Sequence, residues 1–363
     1  MSGVMGVELR AGEDDNGRRL DRILRKALPD LPLSGIHRLL RRKQVLVDGL
    51  PGRAAARIRS GQLIRVEGLE MPESGKLPPD GTRALSPGKP LRIIWEGAGL
   101  LALNKDAGVQ VHGLNGLDEQ VRTYLQGKLP ASLSFRPGPL HRLDKPTSGI
   151  LIFSVSLEGA RIFSALLRAR LLRKRYLALV DGKLTVPGLW EETLFRDTRR
   201  RKTETSVLSR PEPSGGQAAG PESVYGPAKT ARTRVFPLAA GGGYSLVLLE
   251  IETGRTHQIR SQAAFHGHPL AGDRKYGGSL LSGSLLLHAF SLEFPPKPGE
   301  ARKNTGAWNA AGWDELWGKK LWAELPGRFL TQIRRIFGEK TPEFMLQLKQ
   351  DDFSGYFLDP ETG

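Results

Sequence analysis

The chain of 363 residues contains no cysteine. That excludes disulfide frameworks, cysteine nucleophiles and thiolate-bound metals, and it fits a reducing compartment. No stretch approaches the roughly 20 consecutive apolar residues needed to span a bilayer, and residues 1–17 lack the basic-then-apolar pattern of a secretory leader. A soluble, cytoplasmic protein is expected. Internal repeats and heptads are missing as well, which argues against solenoids and coiled coils.

What the chain has in excess is positive charge. Lysine plus arginine number 54 against 38 acidic residues, a net charge of +16. Such a balance draws a protein to a polyanion through neutralised phosphates and released counterions, so nucleic acid is the expected partner rather than an anionic membrane. The length suits two domains.

The expected first domain is small and basic, spanning residues 17–68 after a tail at 1–16. Leu20, Ile23, Leu24 and Leu28 follow helical spacing, with Arg18, Arg19, Arg22, Arg25 and Lys26 on the other faces. Ser34 is a candidate cap for a second helix, Ile36 to Lys43, with Ile36, Leu39 and Leu40 inward and His37, Arg38, Arg41, Arg42 and Lys43 outward. Val45–Val47 and Gln62–Val66 read as strands, the first entering a turn at Asp48-Gly49. Residues 69–90 mix Pro, Gly, Ser and charge and read as a linker that leaves the small domain at a variable distance.

From Leu91 onward, strand candidates (Leu91–Trp95, Leu100–Leu103, Ile150–Val155, Tyr176–Val180, Tyr244–Ile251) alternate with helix candidates (Gln120–Leu129, Leu157–Leu171). A mixed fold around a central sheet follows. Arg196–Lys229, basic at first and then rich in Pro, Gly and Ser, reads as a flexible surface insertion. Beyond Pro295, Trp308, Trp313, Trp317 and Trp322 are expected to pack against the second domain, and Arg328–Phe337 reads as a helix.

Three runs in the second domain carry chemistry. His141-Arg142-Leu143-Asp144-Lys145-Pro146-Thr147-Ser148-Gly149 sets a carboxylate at the mouth of an apolar strand. Such a residue can be a catalytic group, although Asp-Lys-Pro-Thr-Ser-Gly is also good turn chemistry. Lys174-Arg175-Tyr176-Leu177-Ala178-Leu179-Val180-Asp181-Gly182 places a tyrosine on a strand. Gly254-Arg255-Thr256-His257-Gln258-Ile259-Arg260 lies where a strand feeds a helix. Together, and in this order, the three runs resemble the RluA-type pseudouridine synthases, whose motifs are HRLD-x-x-TSG, K-x-Y-x-A-x-V-x-G and GRTHQ-I/L-R. Asn104-Lys105, Gly108, Val111-His112, Gly267-His268-Pro269-Leu270, Gly272-Asp273, Tyr276-Gly277 and Leu287-His288-Ala289 extend the resemblance from about Leu91 to Pro295, and the branch it points to acts on large-subunit ribosomal RNA. The small domain resembles the RNA-binding module first seen in ribosomal small-subunit protein four.

The resemblance implies an α+β fold: a catalytic domain (residues 91–363) with a central, mostly antiparallel sheet, preceded by a small basic RNA-binding module. It implies an isomerase that converts uridine to its carbon-linked isomer in structured RNA. No atoms leave in that reaction, so no cofactor or metal is expected. Asp144 is the implied catalytic carboxylate, as nucleophile or base. Arg260 is its guanidinium partner, which favours the charged form. Tyr176 stacks on the target base. Arg142 contacts or replaces the flipped nucleotide, His141 orders the loop, and Arg255 positions phosphate or its own segment. Arg38, Arg41, Arg42 and Lys43 are the expected RNA contacts of the first module.

His257, His266 and His268 include a His-x-His spacing, but no carboxylate or cysteine completes a metal set. Two positions depart from the family pattern: Asp106 stands where proline usually follows Asn-Lys, and Gln262 where histidine is common. Transfer RNA is an alternative substrate, and an RNA-binding ribosome-assembly factor with dispensable catalysis an alternative role; a monomer is favoured. A kinase-like reading of His-Arg-Leu-Asp fails for want of a phosphate-binding glycine loop.

Overall fold

The computed structural model describes residues 6–69, 90–113, 115–130, 132–197, 202–206, 228–281, 283–297 and 313–338. Its first unit runs β1 (Val7–Arg10), α1 (Leu20–Ala27), α2 (Leu33–Arg41), β2 (Val45–Val47), β3 (Leu50–Pro51) and β4 (Leu63–Val66). The strands form an antiparallel sheet in the order β1-β4-β2-β3. Leu20, Ile23 and Leu24 from α1 meet Ile36, Leu39 and Leu40 from α2 over Val45, Ile64 and Val66. That is the stripe the helical spacing predicts. Asp48 and Gly49 both adopt positive φ, 48° and 83°, the primed-turn geometry whose twist matches the two strands it joins.

Two expectations for this unit need correction. Residues 1–16 are not all tail: Val7–Arg10 alternates apolar and polar residues and pairs with β4, its buried Leu9 opposite Ile64. Ser34 does not cap α2. Pro32 is the N-cap, and its carbonyl already accepts from Gly35 and Ile36, so Ser34 lies inside the first turn. Arg38, Arg41, Arg42 and Lys43 are exposed.

The second unit continues with β5 (Ile93–Gly97), β6 (Leu100–Lys105), α3 (Leu117–Leu125), β7 (Gly138–Pro139), β8 (Ser148–Ser154), α4 (Leu157–Arg168), β9 (Arg173–Asp181), β10 (Gly188–Asp197), β11 (Lys202–Ser206), β12 (Lys229–Gly241), β13 (Tyr244–Ile251), α5 (Gln258–Phe265), β14 (Leu287–Glu293), β15 (Lys320–Trp322) and α6 (Gly327–Phe337). Its sheet follows the order β11-β10-β12-β13-β9-β14-β8-β6-β5, with β15 on β14 and β7 on β8. Among the described residues every pairing is antiparallel except β8 with β14, in the middle of the sheet. There the backbones are so close that a Cβ on Gly149 (φ +110°) would lie 2.2 Å from the Ala289 carbonyl oxygen. The glycine of the Thr-Ser-Gly run is therefore dictated by the sheet.

Both faces of the sheet are covered, which is why its strands read as continuous apolar runs. Period-two alternation sends Leu101, Leu103, Leu151, Phe153, Tyr176 and Ala178 to the face under α3 and α5. Leu100, Ala102, Ile150 and Ile152 go to the other face with α4, where Trp313 is buried and Trp317 packs beside it. Leu177, Leu179, Leu246 and Leu248 meet α6 and Trp322 there. Three of the four C-terminal tryptophans thus pack against this domain; Trp308 lies outside the described residues.

The expected insertion is partly sheet. Lys202–Ser206 pairs with β10, and Lys229 begins β12; the alternating Thr203 and Thr205 favour extended backbone. Arg196 and Asp197 end β10; residues 198–201 and 207–227, like residues 70–89 of the linker, lie outside the described residues. Helix α3 stops at Leu125 rather than Leu129, before Gly127 at φ +75°. Helix α4 stops at Arg168 rather than Leu171.

The small unit does not float. A 3-10 turn at Glu13–Asp15 buries the Asp15 carboxylate completely. It accepts from its own Gly12 N (2.9 Å) and, across the boundary, from Leu133 N (2.9 Å) and the Ser134 hydroxyl. Asp14 accepts from Leu157 N, the first residue of α4, at 3.0 Å, so a negative side chain sits at that helix N-terminus.

Candidate active site

Asp144 sits in the loop between β7 and β8, and its backbone is held from several sides. Its carbonyl accepts from Thr147 N (3.0 Å), the turn predicted from Pro146-Thr147-Ser148. The next carbonyl, that of Lys145, accepts from Gly108 N (2.8 Å) and from the Lys105 ammonium (3.1 Å). Lys105 is almost wholly buried, at 1 % exposure, and its other two donors go to the Asp106 and Val109 carbonyls at 3.0 Å each. Burial pushes this ammonium down to about 8 against the pull of Asp106 and Asp144. It ties the segment after β6 to the backbone beside Asp144. His141 accepts from Ile152 N at 3.1 Å, and burial holds the ring neutral, down to about 4. That fits its expected part in ordering the loop.

The Gly254–Arg260 segment turns from β13 into α5. Gln258 pins it, with Nε2 donating to the Arg232 carbonyl and Thr233, and Oε1 accepting from Thr253 and Arg255 N. Two residues later Arg260 points at Asp144, with NH1 to Oδ2 at 3.2 Å. Its other edge grips Asp273 bidentately, Nε to Oδ2 at 2.7 Å and NH2 to Oδ1 at 2.8 Å. Burial opposes the Arg260 charge, but Asp273 first and Asp144 second outweigh it and raise the guanidinium above its ordinary value. Asp273, 2 % exposed, thus fixes the arginine, and the arginine holds the carboxylate.

His257 completes this floor. It adopts the left-handed region at φ 56°, an uncommon backbone for a non-glycine residue. Its Nε2 lies 3.7 Å from Asp144 Oδ2, and Nδ1 lies 2.9 Å from the Tyr276 hydroxyl. Burial is the main reason this ring is pushed down to about 4 despite Asp144, so it is neutral at pH 7 and adds no positive charge. Tyr276 also lies under the Arg260 guanidinium, 5.2 Å from ring centre to Cζ.

Tyr176 reaches the same cavity from β9. Burial, then the Asp144 charge, raises its hydroxyl far above the usual phenol range, so it is a neutral phenol. The cavity, about 440 Å3, is lined by Asp144, Tyr176 and Arg260 together with Arg142 and Arg255. That volume is in the range of small-molecule sites. Arg142 is exposed, whereas Arg255 donates from Nε to the Thr230 carbonyl at 3.2 Å and so braces its own segment.

Five of the expected site residues therefore converge. Arg38, Arg41, Arg42 and Lys43 do not line the cavity; they lie on and just after α2 in the small unit. Roles for Lys105, His257, Asp273 and Tyr276 were missed. Each lies in a run noted for the resemblance, yet only the folded chain brings them to Asp144. The three histidines of the possible metal set go separate ways: His257 to Tyr276, His266 to Glu192 (2.7 Å), and His268 to the Asp181 carbonyl (3.0 Å). The departure at Gln262 is a core matter, since its amide bonds Thr233, Trp190, Glu192 and Ala231. Asp106 pairs with Arg92 at 3.2 Å.

Residues 99–265 match the family model described as RNA pseudouridylate synthase. The chain is 31% identical over 301 residues, 80% of its length and 88% of the relative's, to Ribosomal large subunit pseudouridine synthase C of Haemophilus influenzae. It belongs to the RNA pseudouridine synthase family. Other relatives include an Uncharacterized RNA pseudouridine synthase of Chloroflexus aurantiacus, 33% identical over 76% of this chain and 83% of its own. Ribosomal large subunit pseudouridine synthase D of Nitrosomonas europaea is 31% identical over 79% and 80% respectively. This pseudouridine synthase is thus an isomerase acting on uridine in RNA, with a family match that spans Asp144, Tyr176 and Arg260. No helix among the described residues is long and apolar enough to cross a membrane.

Proposed function

We propose that this pseudouridine synthase modifies uridine in large-subunit ribosomal RNA, with Asp144 as the catalytic carboxylate. The observation that carries the assignment of Asp144 is its 3.2 Å contact to Arg260, itself locked on Asp273, in a cavity shared with Tyr176. The names of the relatives support ribosomal RNA as the substrate. The small unit, with Arg38, Arg41, Arg42 and Lys43 exposed, grips the RNA backbone.

In the reaction the bond from ribose C1′ to uracil N1 breaks, the base rotates, and C1′ bonds to C5. C5 gives up its proton, and N1 gains one. Whether Asp144 attacks the sugar, attacks the base or removes a sugar proton, it must be ionised. Arg260 sets a fixed positive charge 3.2 Å from that carboxylate within a partly buried site. Tyr176, kept as a neutral phenol, offers a flat face to the freed uracil without competing for a proton. Arg142 at the mouth fills the gap that the extruded nucleotide leaves, at an unstacking cost of roughly a few kcal/mol.

The test is pseudouridine mapping by chemical labelling and mass spectrometry, on unmodified ribosomal and transfer RNA incubated with the native protein or Asp144→Ala. New sites in large-subunit RNA with the native protein alone are the expected result. Sites confined to transfer RNA would move the substrate assignment, and sites made by the Asp144→Ala form would remove the aspartate from it.

A further inference from the structure

Helix α4 ends in a Schellman turn: Leu171 N donates to the Leu166 carbonyl at 3.0 Å, and Arg170 N to the Leu167 carbonyl at 3.2 Å. The residue at the centre of such a turn must take a left-handed backbone, and glycine is the usual occupant. Helix α5 follows that rule with Gly267 at φ +78°, its turn closed by His268 N on the Ala263 carbonyl. Helix α4 instead holds Arg170 at φ 55°. The turn gains nothing from a side chain there, so the reason for the arginine is to be sought where its side chain goes. It goes to the mouth of the active-site cavity, beside Arg168.

Strand β9 adds a third cation by simple alternation. Arg173 and Arg175 point to one face, where both meet Glu250, at 3.5 and 2.8 Å, and Arg173 also meets Glu293 at 3.7 Å. Lys174 and Tyr176 point to the other face and into the cavity. The same strand thus sorts its cations into neutralised and unneutralised sets. Arg168, Arg170 and Lys174 make no ion pair among the described residues, and Arg142 lies on the same rim. The two carboxylates lining the cavity are both engaged elsewhere: Asp144 by Arg260, Glu252 by Arg234 (3.0 Å) and Arg232 (3.5 Å). Burial, then the charge of Arg170, pushes Lys174 down to about 8.

We propose that Arg168, Arg170 and Lys174, adjoining Arg142, form a phosphate subsite that takes the RNA phosphodiester next to the uridine held over Asp144. It deepens the substrate reading above by naming the contact that positions the strand. Helix α2 repeats the device: its Schellman turn (Gln44 N to the Leu39 carbonyl, 3.0 Å) holds Lys43 at φ 58° on the basic face of the small unit.

The test exploits the turn. Arg170→Gly places the favoured residue at a left-handed position, so it does not lower the melting temperature. Binding of an unmodified large-subunit ribosomal RNA transcript is measured over a salt series for the native protein, Arg170→Gly and Arg170→Gly/Lys174→Gln, with pseudouridine formation on the same transcript. The double variant is expected to bind roughly 10- to 100-fold more weakly, with a salt slope smaller by about one to two, since each phosphate contact contributes about 0.7 to 0.9. KM rises, and kcat at saturating RNA stays near the native value. Unchanged affinity and slope in the double variant overturn the subsite, as does a fall in kcat with KM unchanged. Native protein that binds with the steep slope but forms no pseudouridine refutes the substrate assignment, while the slope difference still decides the subsite.

Discussion

The floor and the rim of the active-site cavity hold the same residue types to opposite ends. On the floor the Arg260 side chain is 8 % exposed and gripped by the buried Asp273; its charge is spent inside the protein, on Asp273 and Asp144. On the rim Arg168 and Arg170 are exposed and, among the described residues, have no acidic partner. The floor's cost of burial is met by the fold, whereas the rim's repulsion is relieved only when an anion arrives. A site of this kind separates chemistry from grip, so variants of the two sets should fail in different ways.

The largest effect expected is at Arg260. Arg260→Ala leaves Asp273 buried without its partner, which typically destabilises by about 3 to 5 kcal/mol, and it removes the guanidinium that contacts Asp144. Turnover should fall by about a thousandfold, a loss of roughly 4 kcal/mol in the barrier, while RNA binding by the folded protein changes little. Urea unfolding, kcat and filter binding measure the three parts. Activity near the native level would hand the partner role to another cation and erase the contrast between floor and rim.

A smaller effect, on stability alone, comes from His288. It is fully buried, with Nδ1 2.9 Å from the Ser148 hydroxyl and Nε2 3.2 Å from the Ala323 carbonyl, so it donates to the carbonyl and accepts from the serine. Burial pushes it down to about 4. Because the unfolded chain binds this proton at higher pH than the folded one, the stabilisation is whole above about pH 6.5 and is lost as pH falls toward 4. The loss is on the order of 3 kcal/mol by pH 4. Urea midpoints at pH 7 and 4.5 test it: His288→Gln should be less stable at pH 7 yet show a shallower acid loss. An equally steep loss in the variant would place the acid sensitivity elsewhere.

The smallest effect is expected at the small unit. Arg41→Glu with Arg42→Glu should weaken RNA binding about tenfold and flatten its salt dependence, leaving kcat intact, because exposed cations contribute through phosphates. Affinity unchanged at every salt concentration would take the unit out of RNA recognition and leave the rim as the only grip.

Much of this was legible in the sequence, and the exceptions share a cause. Asp144 and Arg260 stand in runs whose order alone suggested a common site, and the alternation that aims Tyr176 into it is visible in Lys174–Val180. Nothing local pairs Arg260 with Asp273, since the contact depends on how the loop after α5 folds back. Arg168 and Arg170 were hidden by an apolar pattern that continues to Leu171 and disguises the end of α4. Strand β1 escaped because four residues with polar alternation resemble an exposed tail until β4 lies beside them. Sequence periodicity reports the faces of elements well, but it is blind to where an element ends for a reason outside itself.

Asp14 and Asp15 lock the small unit onto the loop at Leu133-Ser134 and onto the start of α4. The basic face of α2 and the mouth of the cavity therefore stand at a separation set by protein rather than by a tether. On the proposed assignment, with the small unit holding RNA phosphates, the enzyme works as a calliper. An RNA that presents its uridine at one jaw must present a phosphate ridge at the other, at the right span and angle, or engage only half the surface. Selection among the many uridines of a large RNA then becomes a measurement of shape, made before any base is turned out.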